Sequence, residues 1–151
     1  MGVVAFVSAG AGFLLAVLWF DLIFDVQVAR HRERVLPDAV LASIAAYYRR
    51  ATTDARPMNR LVALVMLATL AAIVVEIARS QPYAWVAWAS LALALAPILL
   101  AALRIVPSAV RLGSRVDPIE RQSVLARDIF RAHVLCLGSI AALLALQVSF
   151  A

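Results

Sequence analysis

Four apolar runs, each close to the length of a bilayer crossing, constrain this chain more than any other feature. Crossing a hydrocarbon core of about 30 Å takes roughly 20 residues at 1.5 Å per residue. The runs are Val3–Phe24, Leu61–Ala78, Tyr83–Leu103 and Ile129–Phe150. Charge enters them only at Asp21, at Glu76, and at Arg131, where His133 follows. A backbone surrounded by lipid must satisfy its hydrogen bonds within its own segment, so each run is expected as a helix. None carries a polar face, which argues against the buried helices of a water-soluble bundle. The expected fold is an all-α integral membrane protein, a four-transmembrane-helix bundle. It forms a single domain over residues 1–151, with basic loops at 25–60 and 104–128.

Composition agrees. The chain is 65% hydrophobic and 15% charged, whereas a soluble domain is nearer half and a quarter. Every basic residue is an arginine. Seven (Arg30, Arg32, Arg34, Arg49, Arg50, Arg56, Arg60) lie between the first and second runs. Six (Arg104, Arg111, Arg115, Arg121, Arg127, Arg131) lie between the third and fourth or just inside the fourth. Only Arg79 falls on the other side. The positive-inside rule then makes both loops cytoplasmic and both termini periplasmic. Alanine and arginine dominance is what a GC-rich bacterial genome produces, so a bacterial inner membrane is the expected location. Because the arginines cluster between apolar runs, a nucleic-acid partner is not expected despite the net charge of +5. Cys136 is the single cysteine and allows no intramolecular disulfide. The first basic residue is Arg30, so the opening run lacks the charged start of a secretory signal and is expected to stay as an anchor.

The connections carry local signals. Ser80-Gln81-Pro82 reads as a tight outer turn, with Tyr83, Trp85 and Trp88 at interfacial depth. Pro37 starts a short helix to Arg50 whose face of Val40, Leu41, Ile44 and Tyr48 should lie on the membrane or cap the bundle. Asp117-Pro118 opens a second, running through Arg127 into the fourth run. Pro97 should kink the third. The stretch Arg34-Val35-Leu36-Pro37-Asp38-Ala39-Val40 matches Arg104-Ile105-Val106-Pro107-Ser108-Ala109-Val110 in four of seven positions. Either the bundle is two parallel two-helix repeats, each with a proline-broken basic segment, or the match is chance in a chain this rich in Ala, Val and Arg.

Ionisable groups within apolar runs are the candidate site residues. Asp21 and Asp25, four apart on one helical face, lie at the depth of His133 and Arg131 in the fourth run. If the first and fourth helices are neighbours, these form an Asp–His–Arg cluster. It could relay protons, hold a quinone or a polar substrate head, contribute to a metal site, or serve as an interhelical salt bridge; Asp21 is expected within hydrogen-bond or ion-pair reach of His133. Glu76 with Arg79 at i+3, and Gln147 at matching depth, form a second polar group, read as an in-helix ion pair or a substrate contact. His31 sits in a charged segment where solvation explains it. The two histidines lack metal-ligand spacing, and no metal is expected. The small-residue patches around Gly10 and Gly12, and around Gly138, Ser139, Ala141 and Ala142, should pack the first helix on the fourth or form a self-association face.

The last third of the chain, through Val106-Pro107-Ser108, Arg111-Leu112 and Arg131-Ala132-His133 before a Gly- and Ala-containing final run, resembles the anthrone-oxygenase-like family of small four-helix membrane proteins. The resemblance implies a four-helix bundle and, as in a few members, cofactor-independent oxidation of polyketide anthrones, with His133 as a catalytic residue. Three classes of function stand: an accessory or structural subunit of a larger membrane assembly, a small membrane oxygenase or oxidoreductase using His133, Asp21 and Asp25, and a transporter component. Lipid is the expected partner, with other membrane subunits or a second copy beside it.

Overall fold

The computed structural model describes residues 2–54, 56–79 and 83–150. The proposed turn at Ser80-Gln81-Pro82 lies outside them. The described chain is helical throughout its ordered elements and has no strand. Helix α1 covers Gly2–Asp25 and tightens into 3₁₀ geometry over Val26–Arg30. After an irregular linker comes α2, Asp38–Arg49, then a π-helical segment to Asp54 and α3, Arg56–Ala78. Helix α4, Ala84–Leu100, continues through π geometry over Ala101–Ile105 into α5, Val106–Ser114. Helix α6 runs Ile119–Ser149. Four helical stretches are long and apolar enough to cross a membrane: Gly2–Arg30, Pro57–Ala78, Ala84–Ser114 and Ile119–Ser149.

Those four close a ring in which α1 packs on α3 and α6, and α4 packs on the same two. Their inner faces meet in a core that includes Val7, Ala11, Leu14, Ile73, Ile140 and Leu143. Only 17–28% of each apolar stretch is buried within the chain. Leu64, Leu67 and Leu135 are each more than 60% exposed. Water penalises apolar surface of this kind and hydrocarbon does not.

Beneath the arginine-rich end, α2 lies on α5 and caps the bundle. Pro37, extended at ψ 141°, accepts the first amides of α2 from Val40 and Leu41, as the proline start signal requires. The face of Leu41, Ile44, Ala45 and Tyr48 is buried. Gly113 lets the two helices touch through their backbones, since a Cβ there would lie 2.9 Å from the Arg49 nitrogen. Helix α5 ends at Arg115 in the left-handed region, φ 52°, beside Asp38, with which its guanidinium pairs.

Three expectations change. The stretches around Pro37 and Pro107 do not share a conformation. Pro37 follows an irregular linker, whereas Pro107 lies in an unbroken helix from Ala84 to Ser114. The π segment just before Pro107 rearranges the carbonyls that a residue without N–H cannot serve, so the helix passes through. Second, Gly10 does not join α1 to α6. Its missing Cβ would meet Thr69 Oγ1 of α3 at 2.2 Å, because Val7, Ala11 and Leu14 occupy the core-facing stripe and place Gly10 on the flank. Third, of the two alternatives for the small-residue patches, Gly12 and Gly138 do not serve the packing of α1 on α6, since nothing lies within 4 Å of an added Cβ at either.

Pro97 shows how the interior is satisfied. It cannot donate to the Leu93 carbonyl one turn back, and Ser139 Oγ of α6 donates to that carbonyl instead at 2.9 Å.

Candidate functional site

The sequence places Asp21 and Asp25 one turn apart near the end of α1, and α6 brings His133 alongside. His133 Nδ1 lies 2.6 Å from Asp25 Oδ2, and His133 Nε2 lies 3.7 Å from Asp21 Oδ2. The expected reach from Asp21 to His133 is present, and Asp25 is the tighter partner. Asp25 is fully buried and His133 is 4% exposed.

Helix α2 supplies the residues that sequence reasoning missed. Tyr48 donates its hydroxyl to Asp25 Oδ1 at 2.6 Å, and Tyr47 donates to Asp21 Oδ1 at 2.6 Å. The Tyr47 ring stacks on Phe24 at 4.1 Å between centroids, fixing it against α1. Gln27 donates to the Phe24 carbonyl and to Ser43, again linking α1 to α2. Burial, and then the Asp25 charge, push the Tyr48 hydroxyl far above the ordinary tyrosine range. Burial and Asp21 do the same to Tyr47. Both therefore remain donors to the carboxylates. Adjacent tyrosines on the amphipathic helix within the first basic loop were the available signal, but only the fold-back of α2 under α1 gives them partners.

The network joins three helices. Both Asp25 oxygens are engaged, one by Tyr48 and one by His133. Asp25 holds the Nδ1 side of the imidazole, which leaves Nε2 facing Asp21 beyond hydrogen-bond distance. A histidine oriented in this way has the geometry of a general base or proton carrier. Among the described residues, no three of His, Cys, Asp and Glu are arranged as metal ligands.

Arg131 does not belong to this cluster. It is exposed, because two residues on a helix differ by about 200° and His133 takes the inward face. The second polar group is likewise rearranged. Glu76 forms no ion pair with Arg79 among the described residues. It is 4% exposed and turned into the bundle, where Gln147 Nε2 of α6 donates to it at 3.1 Å and to Ser90 Oγ of α4 at 2.9 Å. Gln147 Oε1 is buried without a partner. Arg79 is exposed at the helix end. His31 is half-buried, 3.6 Å from Glu33. Buried Cys136, Ile140 and Leu143 on α6 separate the Asp25–His133 network from the Glu76–Gln147 pair.

No family model matches the sequence, and no curated protein or solved structure gives a match to it.

Proposed function

We propose that this chain is a four-pass protein of a bacterial inner membrane and serves as an accessory or structural subunit of a larger membrane assembly. The observation that carries this reading is an outward-facing small-residue strip on α6. Gly138, Ala141, Ala142 and Ala145 are all exposed, and Gly138 has open space beside it. Small residues let a second helix approach closely, and in lipid such contact is a main source of helix association. The Asp25 network supports the same reading, since Asp25, the Tyr48 hydroxyl and His133 Nδ1 are engaged with one another across α1, α2 and α6. In this role it locks the α2 cap to the bundle.

The test is the state of the chain extracted in mild detergent, measured by native mass spectrometry. A larger assembly of fixed stoichiometry is expected, containing either a second copy or another membrane subunit. Gly138→Leu should dissociate it while leaving the chain's own melting temperature unchanged. A monomeric wild type, or an assembly indifferent to Gly138→Leu, would sink the subunit reading.

The proposed orientation puts both termini outside and the arginine-rich loops in the cytoplasm. An impermeant thiol reagent applied to intact cells should label a cysteine introduced at Ser149 and spare cysteines at Thr53 and Ser114. The opposite pattern inverts the topology.

A second reading is a small membrane oxygenase or oxidoreductase like the anthrone-oxygenase-like proteins. The observation favouring it is the imidazole of His133, buried and oriented by Asp25. Oxygen uptake on addition of a polyketide anthrone to the purified chain would favour this reading over the first.

A further inference from the structure

A cleft of about 280 Å³ opens at the arginine-rich end, between the segment that follows α1 and the first turns of α6. Its lining is basic at His31, Arg32, Arg127 and Arg131 and apolar at Val28, Ala29 and Phe130. No carboxylate belongs to this lining. Glu33 lies 3.6 Å from the His31 ring and is itself largely exposed. Arg127 and Arg131 are one turn apart on the same face of α6. Arg127 also fixes the opposite wall by donating to the His31 carbonyl at 3.3 Å and to the Glu33 carbonyl. That uses two of its five N–H donors and leaves others available. Leu36 N donating to Ser123 Oγ at 2.9 Å anchors the far end of the same linker to α6. The basic lining is thus a built feature rather than a loose loop. Arg32 and Arg131 are exposed, and among the described residues neither is in an ion pair.

Depth decides what fits. The apolar run of α6 begins at Ile129, so Phe130 and Arg131 mark the level where hydrocarbon meets head groups. We propose that this cleft binds the phosphate of an anionic phospholipid; the proposal rests on the membrane reading above and is independent of the subunit reading. Arg32, Arg127 and Arg131 meet the phosphate oxygens through charge-assisted hydrogen bonds. Val28, Ala29 and Phe130 line the way to the glycerol and the first methylenes. A zwitterionic head group would bring its own cation against three guanidinium groups, which selects for net negative lipids.

The experiment uses the full chain in a neutral detergent, titrated with phosphatidylglycerol or phosphatidylcholine of matched acyl length and read by native mass spectrometry. Wild type should bind phosphatidylglycerol in preference. Arg32→Gln/Arg131→Gln should weaken phosphatidylglycerol binding roughly thirtyfold, as expected for removing two arginines near a charged lipid surface. The control, Arg104→Gln/Arg121→Gln, removes the same charge from exposed positions that do not line the cleft and should leave binding unchanged. An equal loss in the control, or no lipid preference in wild type, overturns the site. A third arm adds glycerol 1-phosphate as competitor. Displacement at concentrations comparable to the lipid would assign the cleft to a soluble phosphate compound and overturn the lipid assignment. If the chain stays monodisperse without detergent, the membrane reading itself fails, a result separable from the others.

Discussion

Asp25→Ala is expected to destabilise the bundle by about 1–3 kcal/mol for each of the two buried groups it deprives of its hydrogen-bond partner. A single hydrogen bond in a membrane protein averages only about 0.6 kcal/mol. The larger effect follows because Asp25 serves Tyr48 and His133 at once, both at 2.6 Å and both buried. Its loss leaves the Tyr48 hydroxyl and the His133 imidazole only their own long contact, 3.4 Å from the hydroxyl to Nδ1. Asp21→Ala should cost much less, since the Asp21 side chain is 18% exposed and its His133 contact is 3.7 Å. Reversible unfolding in mixed micelles measures both, and equal penalties would contradict the unequal roles. A double-mutant cycle between Asp25 and His133 should be strongly non-additive.

The same network should weaken in alkali. The folded pKa of Tyr48 lies above its ordinary value of 10.0. Folded protein therefore holds that proton more tightly than the unfolded chain does. The associated stability is complete below pH 10.0 and declines as the pH rises beyond it. Tyr48→Phe should remove this part of the alkaline dependence.

Gly113→Ala should cost about 1–3 kcal/mol by overpacking. The added Cβ would lie 2.9 Å from the Arg49 nitrogen and 3.2 Å from its Cα, backbone atoms that cannot rotate away. Relief requires α2 to move off α5, and Tyr47 and Tyr48 precede Arg49 directly. The substitution should therefore also reduce the penalty of Asp25→Ala, because the tyrosine that loses its carboxylate is already displaced. Gly12→Ala is the contrasting case. Nothing lies within 4 Å of its Cβ, and helix propensity alone predicts neutral or slightly improved stability. Melting temperatures of the two variants separate close approach from propensity. Similar shifts would mean that α2 and α5 do not meet at Gly113.

How much was legible depended on the range of the interaction involved. The four long helices, the α2 start after Pro37 and the α6 start after Pro118 could be read from sequence, because run length and proline stereochemistry act within a few residues. So could the candidate set of Asp21, Asp25 and His133, since a charge in an apolar run stands out without knowledge of its neighbours. Arg131 was open to correction from sequence alone, because helical geometry puts it about 200° from His133. The partners lay beyond that reach. That Tyr48 rather than arginine meets Asp25, that Glu76 turns to Gln147 and Ser90 instead of Arg79, and that Gly10 meets Thr69 while Gly138 faces outward all depend on the rotation of each helix about its axis. Runs that are apolar on every side do not encode that rotation locally. It is decided by tertiary packing, where polar groups are paired against an interior that leaves few other partners.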